Sequence, residues 1–164
     1  MAKQKESPYL SDATRLGDVI AAIQAMATYK FYKLDFNKWA DRITGDVTTA
    51  DHWKRVFEEH PEFFRLDSPK DRASLVWRRQ HPKRFDVDSE KVISIADYQG
   101  LSESARDRIS RVPLGSAEIS TLVKAAINLH SRALDQSKEK RWWIPLLAGF
   151  IGFVGAVLGA YLKA

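Results

Sequence analysis

The residues best suited to chemistry lie between Arg65 and Arg84. There Arg65, Lys70, Arg72, Arg78, Arg79, Lys83 and Arg84 are opposed only by Asp67 and Asp71. Trp77 falls among these cations and Phe85 directly follows them. Guanidinium forks beside aromatic rings suit phosphates and stacked bases. Lys54 and Arg55 add charge on a segment just upstream, offset by Glu58 and Glu59. That balance is a poor match to a helix that reads the major groove.

No constellation of an enzyme accompanies this stretch. His52, His60, His81 and His130 are scattered without metal-ligand spacing, and cysteine is absent. There is no HExxH, no Walker loop, no GxGxxG and no GxSxG. Asp86, Asp88 and Glu90 lack the glycine and the full ligand set of a calcium loop, so they read as solvated loop acids. We therefore expect no catalysis, no metal and no cofactor. The missing cysteines agree with a reducing compartment. No apolar run near the N-terminus marks a cleaved secretion signal.

The elements that must position the basic stretch follow from periodicity. Residues 1–11 are polar and are expected to fray. From about Asp12 to Phe31, Leu16, Val19, Ile20, Ile23, Ala27 and Phe31 recur at helical spacing, and Tyr29, Phe31 and Tyr32 crowd the helix end. A shorter helix from Phe36 to Ile43 carries Trp39 and stops at Gly45. Thr48 or Thr49 caps a third helix, with Asp51 in its first turn, Trp53, Val56 and Phe57 inward, and Pro61 after its end. Glu62–Leu66 and Ala73–Arg79 then read as two strands joined by the turn cluster Ser68, Pro69, Lys70 and Asp71. The segment from His81 to Ile95 continues as loop with room for one more short strand.

A short helix is expected from Ser102, within residues 100–112, and Pro113 and Gly115 break it. Beyond them Ile119, Leu122, Ala126, Leu129 and Ala133 keep a three-four spacing, the seam of a two-heptad coiled coil. That seam serves either a stalk between copies or packing against the preceding domain. Residues 1–112 hold 20 Lys and Arg against 18 Asp and Glu, and residues 113–164 hold six against three. The basic stretch is therefore a local feature of a nearly neutral domain, unlike the overall charge of a strongly basic DNA binder.

Trp142 to Leu162 contains no charged residue and is long enough, as a helix, to cross a hydrocarbon core of about 30 Å. Trp142, Trp143 and Tyr161 stand where interfacial aromatics belong, and Lys138, Lys140 and Arg141 before the run place the N-terminal body in the cytoplasm. Ala148, Gly149, Gly152, Gly155, Ala156, Gly159 and Ala160 fall on one helical arc, the pattern by which membrane helices approach one another. We expect a single-pass protein of the inner membrane that forms homo-oligomers through this arc. Nothing polar lines the run, so any pore between copies would be narrow or gated by dewetting.

The resulting architecture is mainly α with a small β ribbon. It comprises a flexible N-terminus (1–11), a sensor domain (12–99), a helical connector or stalk (100–141) and a transmembrane helix (142–162). Three helices, a short turn between the second and third, and a two-stranded ribbon over about residues 12–87 resemble a winged helix-turn-helix domain. A soluble sensor before a membrane helix resembles the membrane effectors of bacterial antiphage systems, the Hailong type among them. That resemblance implies a homo-oligomeric channel controlled by a bound single-stranded oligonucleotide, a nucleotidyltransferase partner, and depolarisation as the output. Under it the basic stretch would hold phosphates, and Trp77 or Phe85 would stack a base. A membrane-tethered regulator that binds duplex DNA, and an adaptor whose winged helix binds a protein, are the other two readings.

Overall fold

The computed structural model describes residues 7–139. The expected transmembrane helix and its small-residue arc, Ala148, Gly149, Gly152, Gly155, Ala156, Gly159 and Ala160, lie outside them. Among the described residues no helix is long and apolar enough to cross a membrane. The fold is mainly helical with two small antiparallel sheets.

The described residues open with one helical turn, α1 (Pro8–Ser11), within the segment where fraying was expected. Tyr9 supplies the reason, since its side chain is buried in the core against His60 and His130. α2 (Arg15–Thr28) carries Val19, Ala22, Ile23, Met26 and Ala27 on its inward face, all fully buried. The short strand β1 (Lys33–Asp35) follows, then α3 (Phe36–Thr44). Asp35 caps α3 by accepting from Lys38 N at 2.9 Å, and Gly45 ends it with φ near 73°, a conformation that costs glycine no steric penalty.

A 3-10 turn (Val47–Thr49) leads into α4 (Ala50–Glu59). Thr49 occupies the N-cap of α4, but its hydroxyl donates to Asp46 O at 2.7 Å instead of accepting from the helix. Trp53, Val56 and Phe57 face inward, and Phe57 is ringed by Phe36, Trp53 and Phe64 at centroid distances of 6.2, 6.4 and 5.0 Å.

The hairpin has strands β2 (Phe64–Leu66) and β3 (Arg72–Leu75). β1 pairs antiparallel along the other edge of β3, giving the sheet order β1-β3-β2. In this register Ala73, Leu75 and Phe64 point to the core, and Trp39 Nε1 donates to Ala73 O at 3.0 Å. The second strand is shorter than expected: Trp77–Gln80 form a 3-10 turn.

A second sheet, β5-β4-β6, joins β4 (Phe85–Asp86), β5 (Lys91–Val92) and β6 (Ile109–Ser110). Two short helices separate β5 from β6. α5 (Ile95–Gly100) is closed by a capping box at Ser94 and Asp97, and α6 (Glu103–Arg106) is capped by Ser102.

α7 (Ser116–Glu139) does not stand away as a stalk. It packs along α1 and α2, with Leu122, Ala126 and Ala133 buried in the common core and Ile119 and Leu129 against it. The five seam residues are thus covered by the same chain. Leu114 N, donating to Ala27 O at 2.9 Å, fixes the point where α7 approaches α2.

Candidate nucleic-acid interface

The structure divides the basic stretch. Arg65 lies opposite Ser74 across the β2–β3 ladder and Arg72 lies two residues before Ser74, so both arginines share the outer sheet face. Arg65, Arg72 and Lys70 are all exposed. Asp67 builds the turn between them. Its Oδ1 accepts from Asp71 N at 3.3 Å and Arg72 N at 3.2 Å, while its backbone oxygen accepts from Lys70 N at 3.0 Å. Desolvation opposes the Asp67 charge, but these amides and Lys33, 3.4 Å away, outweigh it and hold the carboxyl below its usual range. Asp67 is therefore occupied within the hairpin, leaving Arg65, Lys70 and Arg72 as its outward cations and Asp71 as its exposed acid.

Between the hairpin and the last turn of α4 lies an open hollow of about 580 Å³, bordered by Arg65, Lys70, Glu58 and Phe57 among others. Glu59, the second acid that weighed against α4, turns the other way and pairs with buried Arg15 at 3.1 Å. Arg55 is exposed on α4, and Lys54 Nζ stands 5.7 Å from the Phe36 ring centroid.

Arg78 is a correction to the expected ligand set. It is fully buried. Its guanidinium donates to the carbonyls of Met26 (2.9 Å), Tyr29, Lys30 (3.4 Å) and Arg111. Burial, aided by the nearby charge of Arg111, lowers its pKa to about 10, so it remains charged at neutral pH. Arg111 complements it, donating to Arg79 O at 2.7 Å and to His81 O while lying 4.9 Å from the Tyr32 ring centroid. The two arginines bind the 3-10 turn to α2 and β6.

Arg79 is exposed on that turn, and Lys83 and Arg84 are half-buried just beyond it. Trp77 is half-buried against the core, and Phe85 pairs with Val92 and Ser110 across β4. Both rings are half-buried. The acids after β4 are also committed. Asp86 accepts from Asp88 N at 3.0 Å and Ser89 Oγ at 2.7 Å, and Asp88 pairs with Arg108. Among the described residues no group of three or more metal-ligating side chains is placed to hold an ion.

Comparison with protein-family models, with curated proteins and with solved structures returns no match to this chain.

A second basic and aromatic region lies at the end of α2. The Tyr29 and Phe31 rings stand 6.1 Å apart at 47°, open to a hollow of about 340 Å³ also lined by Leu34, Lys38 and Arg42. Arg42 lies 5.1 Å from the Tyr29 centroid, and Arg108 and Lys30 lie 5.3 and 6.0 Å from that of Phe31. The crowding of aromatics at 29, 31 and 32 was visible in the sequence. Lys30 stands between the two rings in sequence, whereas Arg42, Lys38 and Arg108 come from α3 and from the approach to β6, and only the fold brings them there.

Proposed function

We propose that this chain is a homo-oligomeric membrane effector, a channel or pore, whose state is set by a nucleic-acid or nucleotide ligand on a cytosolic winged-helix domain. The observation that carries the reading is the β2–β3 hairpin, which turns Arg65, Lys70 and Arg72 outward beside α4 against the single exposed acid Asp71, while Asp67 is held within the turn. The order α2, β1, α3, α4, β2, β3, with β1 on the free edge of β3, supports a winged helix-turn-helix. The apolar run Trp142 to Leu162 supports the membrane anchor, and its small-residue arc supports self-association. Phosphates of a single strand would bridge Arg65, Lys70 and Arg72, with Arg79, Lys83, Arg84 and Arg55 extending the path. Defence against phage by depolarisation, with a nucleotidyltransferase supplying the ligand, follows the resemblance to Hailong-type effectors.

The test uses the full chain in lipid nanodiscs, a fluorescein-labelled single-stranded hexanucleotide and a 20-base-pair duplex, across a salt series. Three phosphate contacts on a single strand predict a log–log salt slope of about −2. Arg65→Glu with Arg72→Glu should weaken the hexanucleotide about tenfold or more. In liposomes, the same oligonucleotide should change ion flux through the wild-type chain and not through the double variant. Preference for duplex would point instead to a tethered DNA-binding regulator. Binding to neither probe would overturn both nucleic-acid readings and leave the protein-binding adaptor.

A further inference from the structure

We infer that the hollow at the end of α2, between Tyr29, Phe31, Leu34, Lys38 and Arg42, is a base-stacking site for one nucleotide of an anionic single strand. This inference rests on the nucleic-acid reading above and adds to it the place where a base is held.

Trp77 and Phe85 lie beyond the hairpin and are half-buried, so a single strand held only at the hairpin would be bound through its phosphates. Tyr29 and Phe31 are half-buried as well, but their rings are splayed at 47° and together line a hollow of about 340 Å³ beside α3. That volume lies within the range of small-ligand sites. Leu34 gives the hollow an apolar side, and Arg42 adds a guanidinium, whose planar face stacks on π-systems as its edge binds phosphate.

The charges around the rings select an anion. Lys30, Lys38, Arg42 and Arg108 are all exposed there. Their carboxylates are surface partners: Asp35 at 2.9 Å from Lys38 Nζ, Asp41 at 3.1 Å from Arg42 Nη1, and Asp88 on Arg108. The pairs of Lys38 and Arg42 are exposed single contacts that hold weakly, so a phosphate can replace those carboxylates at little cost, whereas Asp88 holds Arg108 through a two-pronged fork. An isolated metal ion or an ammonium ligand would meet four cations whose three carboxylates are already paired with them. A planar base with a phosphate attached uses both the rings and the charges.

The experiment again uses the full chain in nanodiscs, with two probes of equal phosphate number. One is a hexanucleotide backbone carrying a single 2-aminopurine flanked by abasic sites. The other is a fully abasic hexamer labelled with fluorescein. Wild type should quench the 2-aminopurine on binding. Phe31→Leu should abolish the quench and weaken the base-bearing probe by about fivefold or more, leaving the abasic probe unchanged. Arg42→Gln, a surface change that leaves the fold intact, should weaken both probes and reduce the quench.

If Phe31→Leu and Arg42→Gln leave affinity and quench at wild-type values while Arg65→Glu with Arg72→Glu abolishes binding, the base lies elsewhere. The stacking site then falls and the ligand-controlled reading survives. If wild type binds neither probe, both fall.

Discussion

The β2–β3 hairpin and the junction between α2 and β6 are both rich in arginine, yet they use it for opposite purposes. On the hairpin the backbone groups of β2 and β3 bond each other, and Asp67 takes the amides of the turn. Arg65 and Arg72 have no backbone to serve and face solvent. At the junction α2 ends at Tyr29 in an extended conformation, without the left-handed residue that would close its last carbonyls. Arg78 supplies donors to Met26, Tyr29 and Lys30 in place of such a cap, and to Arg111 O as well. The role of each arginine is decided by which nearby carbonyls lack donors. Neighbours in sequence can therefore differ completely, as Arg78 and Arg79 do.

Arg78→Met tests this contrast with the largest expected effect. It fills much of the same volume but leaves four carbonyls without their donor, so a loss of about 3 kcal/mol or more is expected in thermal or urea unfolding of the full chain in detergent. Arg79→Met should stay within about 0.5 kcal/mol of wild type. Arg78→Lys should recover only part of the loss, because one ammonium cannot span carbonyls on α2 and at Arg111. Equal effects at positions 78 and 79 would break the comparison.

The next effect distinguishes the two faces of α7. Leu122 is buried against the domain, and Leu122→Ala should cost about 2 to 5 kcal/mol in the same unfolding measurement. Ile127, 43% exposed, should tolerate alanine to within about 0.5 kcal/mol. A reversed order would mean that the seam faces other copies after all.

Local signals made part of this fold legible. The three-four spacing from Leu16 to Ala27, Gly45 as a stop and the turn cluster at Ser68–Asp71 placed α2, α3 and the hairpin. They are decided within a few residues, where propensity and turn chemistry act. β1 was missed because Lys33–Asp35 has too few residues to show alternation, and its identity comes from pairing with β3 some 40 residues later. β4, β5 and β6 are shorter still and exist only through each other. The heptad pattern of α7 was visible, but a pattern of apolar residues does not name its partner.

The candidate site shows the same limit. The sequence marked the stretch from Arg65 to Arg84 as a local excess of charge, and it counted buried Arg78 with the exposed residues. The carbonyls that claim Arg78 lie 33 to 52 residues away in sequence. The aromatic hollow was half visible, in Tyr29 and Phe31. Its cations Lys38, Arg42 and Arg108 arrive from two other elements, and no spacing rule connects them.

The smallest effect concerns Lys70, where the hairpin carries a backbone conformation unfavourable to a side chain. Lys70 has φ near 58°, in the left-handed region that glycine enters without penalty. Its amide still bonds Asp67 O, so the turn keeps its form when the side chain is removed. Lys70→Gly should therefore raise stability by about 0.5 to 1 kcal/mol in thermal unfolding, the relief of strain exceeding the added freedom of the unfolded chain. The same change removes one of three outward cations, and affinity for the hexanucleotide should fall about threefold, with a salt slope shallower by about 0.7. Gain of stability together with loss of affinity would mean that the strained lysine is kept for its charge. Gain of stability with unchanged affinity would remove Lys70 from the ligand path and leave Arg65 and Arg72 to carry it.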